Sequence, residues 1–314
     1  MTIDIIIPNY NGADLLPACL DALRRQTRSD FAITVVDDGS TDASLTLLAT
    51  HYPEVNVLRR DRNGGLAVAI NQGFRQTGRP YVVLLNNDTE AEPAWLEELI
   101  GALERFPDYA FAASKLRLWD RRNALHSAGD GYAAEGRPYN RGVWQHDRGQ
   151  FDAMLEVWGA CAGAAAYRRS ALEALEQNGE LLDTDLFMYC EDVDLNLRAR
   201  LAGLRTVFVP RAVVYHRLSA TGGGTLASYY CGRNFLAVWV KNMPTALARR
   251  YFLRFVLYQA SLTLDALWHW RGAAARATLR GQVAGLRALP VFLRKRKQRR
   301  QLVSNSEFSS LLAK

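Results

Sequence analysis

Four short stretches put carboxylates, amides or an imidazole where an apolar run ends. "VDDGS" carries Asp37 and Asp38, and "LLNNDT" carries Asn86, Asn87 and Asp88. "YCEDVD" carries Glu191, Asp192 and Asp194, and "VVYH" ends on His216. Asp38 could accept a hydrogen bond from a pyrimidine N–H or a ribose hydroxyl. Asp88 suits a hard divalent cation such as Mg²⁺ or Mn²⁺, which needs few protein carboxylates when a diphosphate supplies other oxygens. Asp192, at a helix start beside apolar residues, suits a general base. A neutral imidazole at 216 could ligate Mn²⁺. Each residue also has a plain structural role open to it. Asp37 and Asp38 can cap a turn, Asp88 can form an Asx turn before Pro93, and the acids at 191–194 suit a helix N-terminus. His216 can simply hydrogen-bond a loop.

The background to these residues is regular. Residues 3–11, "IDIIIPNYN", are an apolar run closed by Pro and Asn, which predicts a buried parallel strand and a loop. Residues 14–26 place Leu15, Leu16, Cys19, Leu20 and Leu23 at helical spacing. Asp14 is the expected cap, and Pro17 falls in the first turn, where it is tolerated. Residues 31–42 repeat the strand-then-acid pattern, and Thr41 or Asp42 opens a helix through His51. A strand at 56–60, a helix at 63–78 approached through two glycines, and a strand ending in "LLNND" follow. The β-α-β-α-β-α-β order predicts an α/β fold, with a Rossmann-like, mostly parallel sheet flanked by helices and its polar strand ends on one rim.

The middle third predicts a strand at 111–119, a small-residue segment at 158–172, a helix at 190–203 with Gly203 as C-cap, and a strand at 205–216. "SATGGGT" at 219–225 is a glycine-rich loop whose N–H groups could approach phosphates. Helical periodicity dominates 228–293, and 294–314 is expected to be exposed or disordered.

Composition narrows the class. The chain has 314 residues, 49% hydrophobic and 23% charged, enough for a large core. No apolar run reaches the length of a membrane span without charges. The start, "MTIDIIIPNYNG", lacks the basic n-region of a signal peptide. Four scattered cysteines without CxxC spacing read as free thiols in a reducing cytoplasm. Residues 241–314 hold 15 Lys/Arg against Asp265 and Glu307, a balance of +13, while residues 1–240 hold 24 basic against 30 acidic, a balance of −6. Such a tail could meet nucleic acid or an anionic membrane.

The motifs, in the order "PNYN", "VDDGSTD", "NGGLAVAINQG", "LLNNDT", "FMYCEDVDLNLRARLAG" and "VYHRLSATGGGT", together resemble the inverting family-2 glycosyltransferases of GT-A fold. The likeness is greatest to the rhamnosyltransferase-like branch and covers roughly residues 3–240. The resemblance implies a nucleotide-sugar-binding and catalytic domain at 1–240 and a basic helical extension at 241–314. It implies that Pro8 and Tyr10 pack on the base, that Asp38 recognises it, and that Asn63 and Arg233 serve nucleotide binding. It places Asn86-Asn87-Asp88 at the DXD-type motif, with Asp88 on metal and diphosphate. Asn86 departs from that motif by one charge. His216 would be a second metal ligand. Glu191 and Asp192 form the catalytic acid pair, with Asp192 as the base.

The implied reaction moves a sugar, L-rhamnose as first choice, from a dTDP- or UDP-linked donor to a glycan or lipid-linked acceptor in cell-surface polysaccharide synthesis. A divalent metal, Mg²⁺ or Mn²⁺, is the implied cofactor. Residues 245–300, with Trp268 and Trp270, are expected to lie on an anionic membrane at the cytoplasmic face, with an oligomer left open. A helical subdomain or dimer interface is the competing account of that segment. Two other classes compete for the whole chain. A nucleotide-binding α/β protein with a nucleic-acid-binding tail would need a P-loop or G-x-G-x-x-G, which is missing, and the acidic first 240 residues would repel a phosphate backbone. A sugar nucleotidyltransferase would need a basic, glycine-rich N-terminal loop, and "PNYNGADLL" is not one.

Overall fold

The computed structural model describes residues 1–152, 156–218 and 224–313. Its first elements follow the apolar periodicity closely. They are β1 (Ile3–Asn9), α1 (Leu16–Arg24), β2 (Phe31–Asp37), α2 (Ser44–His51), β3 (Asn56–Arg59), α3 (Leu66–Gln76) and β4 (Tyr81–Leu85). Then come β5 (Thr89–Ala91), α4 (Trp95–Arg105), β6 (Tyr109–Leu118), β7 (Leu125–Ser127), β8 (Asp130–Tyr132), β9 (Pro138–Asn140), β10 (Glu156–Val157), β11 (Ala164–Arg168) and α5 (Arg169–Leu175). The remainder is α6 (Glu191–Leu201), β12 (Arg205–His216), α7 (Thr225–Asn242), α8 (Thr245–Trp268), α9 (Ala273–Lys295) and α10 (Asn305–Leu311). Most of the "SATGGGT" loop lies outside the described residues.

Packing divides the chain into two compact units. The first holds Met1–Asp130, Asn140–Phe187 and Leu204–Thr221, and the second holds Gly131–Tyr139, Met188–Gly203 and Gly222–Lys314. This division does not fall at residue 240, because α7 packs chiefly on α9.

The first unit is built on one sheet, in the order β10-β12-β6-β11-β4-β1-β2-β3. Strands β4, β1, β2 and β3 run parallel, as do β6 and β12. Strand β11 joins the two groups by pairing antiparallel with β4 and β6. β1 is buried along its whole length, as its unbroken apolar run predicts for a strand covered on both faces. Helix α1 begins without the expected Asp14 cap. Instead the Gly12 carbonyl accepts from the N–H groups of Leu15 and Leu16, so the backbone satisfies the turn that a side chain would otherwise close.

In the second unit, α7 and α9 cross backbone to backbone. A Cβ on Gly281 would stand 2.1 Å from the Tyr229 carbonyl oxygen, and one on Gly285 would stand 2.9 Å from that of Arg233. The C-terminal segment, expected to be exposed or disordered, is ordered. Arg296 and Arg299 donate to the Val240 and Met243 carbonyls at the end of α7, and Phe308 of α10 is fully buried. More than half of the described residues from 294 on are exposed, as expected, and these few anchors give the segment its order.

Gly281→Ala should destabilise the fold by about 1–3 kcal/mol, because the new methyl has no space. Gly101→Ala, on α4 with nothing within 4 Å of the new Cβ, should be neutral or stabilising by up to ~1 kcal/mol. Denaturant midpoints of the two variants check the contrast, and equal midpoints would remove the close crossing.

Candidate functional site

The strand ends of the first unit are tied together by side-chain amides. Asn87 Nδ2 donates to Asn9 Oδ1 at 2.7 Å, and Asn9 Nδ2 donates to Asp37 Oδ1 at 3.0 Å. Asp37 Oδ2 then accepts from the Ser40 N–H at 3.1 Å. The ends of β4, β1 and β2 are thereby fixed to one another. Asn87 and Asp37 are thus engaged in holding the rim, and Asn9 is the residue the sequence did not single out. Its signal was the polar closure of "PNYN". Asn86 is half-buried, its N–H donating to the Gly163 carbonyl and its own carbonyl accepting from the Thr89 hydroxyl.

Asp38 is buried and heavily engaged. Oδ1 accepts from Arg60 Nε at 2.7 Å and from the Gly64 N–H at 3.0 Å, while Oδ2 accepts from Gly64 and Gly65 N–H groups at 3.0 and 2.8 Å. Its carboxylate therefore organises the turn before α3. Gly65 has φ +91°, and a Cβ there would come within 2.7 Å of Phe187, so this turn requires glycine. Asn63 braces the same turn by accepting from the Gly65 N–H, and its residue is exposed. Pro8 lies buried inside β1, whereas Tyr10 just beyond it is exposed.

Asp88 and His216 are brought together by strand pairing. β5 pairs antiparallel with β12 in a register that sets His216 opposite Thr89. His216 Nε2 lies 3.1 Å from Asp88 Oδ1. That oxygen is buried and accepts no aligned hydrogen bond among the described residues. On its other side, His216 Nδ1 is 3.0 Å from His126 Nδ1. Burial, and then the neighbouring His216, push the His126 imidazole down to about 3, so it stays neutral. A buried, unsatisfied carboxylate oxygen beside an imidazole nitrogen is a donor set that fits one divalent cation of the Mg²⁺ or Mn²⁺ kind. Nothing in "ALHSAG" marked His126 as part of it.

Glu191, Asp192 and Arg233 belong to the second unit. Tyr189 and Cys190, just ahead of α6, have φ of +63° and +67°. Such conformations cost of order 1–3 kcal/mol each for non-glycine residues. Asn234 of α7 holds this segment, its Nδ2 donating to the Met188 and Tyr189 carbonyls at 3.0 and 2.8 Å. Deeper in, Asp194 is fully buried and accepts from Arg198, Lys241 and Asn242. Burial alone would raise its pKa, but the Lys241 and Arg198 cations hold it well below the usual carboxylate range. Asp194 thus fixes the register of α6, with Glu191 and Asp192 in its first turn. Arg233 is occupied nearby, donating to Asn234 Oδ1 and lying over the Phe292 ring.

Burial, and then the adjacent Asp192, push the Glu191 carboxyl up to about 8. Glu191 therefore carries its proton near neutrality, when the unfolded chain has lost it. Folding takes up that proton between about pH 4.5 and 8, so this group lowers stability as pH rises through the window, by up to roughly 1.4 kcal/mol per unit. Glu191→Gln should remove the slope. Its midpoint should gain on the wild type from pH 5 to pH 8 in thermal melts, and parallel curves would place an ionised Glu191 in the fold.

The family model for glycosyl transferase family 2 matches residues 4–176. The N-acetylglucosaminyl-diphospho-decaprenol L-rhamnosyltransferase of Mycobacterium tuberculosis is 27% identical over 310 residues, covering 89% of this chain and 90% of its own. Among solved structures, GalNAc-T7 with UDP, GalNAc and Mn²⁺ superposes with a TM-score of 0.61 at 16% identity, over 77% of this chain and 48% of that one. Staphylococcus aureus TarS 1–349 in complex with UDP does so with 0.57 at 16%, over 99% and 90%. At these identities the structural likeness establishes the fold, which is of GT-A type. The chain belongs to glycosyl transferase family 2 and is a rhamnosyltransferase-like glycosyltransferase.

Proposed function

We propose that the protein transfers a sugar, L-rhamnose by preference, from a nucleoside-diphosphate donor to a hydroxyl of a lipid-linked or glycan acceptor, with inversion. The observation that carries this is the contact of Asp88 Oδ1 with His216 Nε2 at the strand ends, in a chain whose M. tuberculosis relative is named for rhamnosyl transfer to N-acetylglucosaminyl-diphospho-decaprenol. Residues 1–240 are the catalytic part and 241–314 the extension.

Tyr10 offers an exposed aromatic face to the base of a dTDP- or UDP-sugar. Asp38 acts through the loop it organises, holding Arg60 and the turn that carries the exposed Asn63. Asp88 and His216 would hold a divalent cation, which when bound offsets charge on the departing diphosphate. Asp192 takes the proton of the acceptor hydroxyl. That oxygen forms a bond to the anomeric carbon as the bond to the diphosphate breaks, and the electron pair leaves with the diphosphate. One displacement inverts the centre, so a single carboxylate base suffices. Glu191, protonated near neutrality, is not a competing base.

Asp192→Asn and Asp192→Ala should lower transfer by at least ~10²-fold, the scale of a lost general base, while UDP- or dTDP-sugar binding persists. Turnover near the wild-type rate in either would remove Asp192 from this role. Asp88→Ala should weaken donor binding in the presence of Mn²⁺. Calorimetry with an unchanged donor affinity would sink the assignment. A thermal-shift screen of dTDP-, UDP- and GDP-sugars would then choose the donor.

The acceptor reading extends to the membrane. No helix among the described residues is long and apolar enough to cross one. Yet Phe252, Leu253, Leu257, Leu264, Leu267 and Trp268 of α8 are each more than half exposed. They recur at helical spacing along one side, between Arg249 and Arg250 at one end and Arg271 at the other. Apolar side chains with flanking arginines suit the interface of an anionic bilayer, where each cation adds about 1 kcal/mol. Residues 245–300 would then hold the enzyme at the inner face of the cell membrane. Leu253→Asp/Leu264→Asp should abolish co-sedimentation with phosphatidylglycerol liposomes while leaving the fold intact, since neither side chain is buried. Equal sedimentation of variant and wild type would leave this surface for a partner subunit.

A further inference from the structure

We propose that His126 is a positioning residue that orients His216 and fixes its tautomer for cation binding. The inference rests on the metal reading of Asp88 and His216 given above. It starts from the sheet. The C-terminal half of β6 has β12 on one edge and β7 on the other, with Leu118 opposite His216 and Leu116 opposite Ser127. Both histidines therefore reach the same end of β6, although 90 residues separate them. Their rings are tilted by 35°, with centroids 4.9 Å apart. Both side chains are buried, so neither ring can turn freely.

The hydrogen bond between the two Nδ1 atoms, 3.0 Å apart, holds one proton between them. If His126 Nδ1 holds it, His216 carries its own proton on Nε2 and has no lone pair there for a cation. If His216 Nδ1 holds it, the His216 Nε2 lone pair is left open, with Asp88 Oδ1 3.1 Å away. A cation held by Nε2 and Asp88 Oδ1 needs the Nε2 lone pair, so cation binding selects the second arrangement. In it, His126 Nδ1 accepts the proton of His216 Nδ1 and so keeps Nε2 open as a ligand. A buried acceptor behind a ligating imidazole commonly sets metal affinity by one to two orders of magnitude.

The test compares Mn²⁺ binding by the full chain and its variants, followed by loss of the free-ion EPR signal without nucleotide. His126→Phe keeps a planar ring but offers no acceptor, and should bind Mn²⁺ about 10–100-fold more weakly, with the melting point of the metal-free protein near that of wild type. His126→Asn returns an acceptor oxygen close to the Nδ1 position and should recover most of the affinity. Wild-type Mn²⁺ affinity in a folded His126→Phe would overturn the proposal. So would equal losses in the Phe and Asn variants accompanied by equal drops in melting point, which would make His126 merely structural. His216→Ala separates the two readings. If it loses Mn²⁺ while His126→Phe does not, only the positioning role fails. If His216→Ala binds Mn²⁺ like wild type, the metal reading fails and this proposal fails with it.

Discussion

The register of β12 is the constraint on which the donor-side geometry depends. This twelve-residue strand pairs with β6, β5 and β10 at once. Against β6 it is not continuous. Ser114 pairs with Val209 and Lys115 with Val213, so residues 210–212 are unmatched. Pro210 sits in that bulge, where a missing N–H costs no ladder bond. Beyond it the register resumes and delivers His216 opposite Leu118 on β6 and opposite Thr89 on β5. A slip by one residue would turn His216 to the other face and leave the buried Asp88 oxygen without its imidazole neighbour. The bulge is thus a device for aiming one side chain, and the short strand β5 is what makes the aim matter.

The second unit solves a different problem, that of holding an unfavourable local conformation. Left-handed backbone at Tyr189 and Cys190 would relax if the segment were free. Two things prevent that. Asn234 takes the carbonyls of the strained segment, and Asp194 anchors the helix that follows. A buried carboxylate shared by Lys241, Arg198 and Asn242 adds little net stability against its desolvation. Losing the carboxylate would leave buried cations stranded, which costs about 3–5 kcal/mol. Such a cluster therefore acts as a position lock more than as glue. It lets Glu191 and Asp192 sit in the first turn of α6 with distinct environments. The consequence is chemical: adjacent acids diverge, one buried and protonated near neutrality, the other half-exposed.

Much of this was legible in the linear chain. Apolar runs gave β1, β2 and β4 within a residue or two, because a strand buried on both faces leaves an unbroken signal. The strand-end acids and amides were visible for the same reason: polarity begins where burial stops. The order of weak motifs carried the family, which supersedes the nucleic-acid and nucleotidyltransferase alternatives. What failed to show was of two kinds. Asp14 looked like a cap because capping is judged from residue type, whereas the Gly12 carbonyl had already closed the turn. The segment 294–314 read as exposed or disordered, and its order did not show because a few anchors, Phe308 and two arginines on carbonyls at the end of α7, carry no periodic pattern.

The sequence by itself determined the fold class, the strand ends that bear chemistry, the family and the candidate acids Asp38, Asp88 and Asp192, since these rest on local patterning and on motif order. Only the tertiary structure decided what those side chains are free to do. Asp38 is committed to a loop, Asn87 to the rim, and Glu191 to a protonated state, while Asp88 keeps a buried oxygen facing His216 with His126 behind it. Hydrogen-bond saturation, desolvation and strand register are properties of neighbours brought together from distant positions. No single stretch of the chain encodes them.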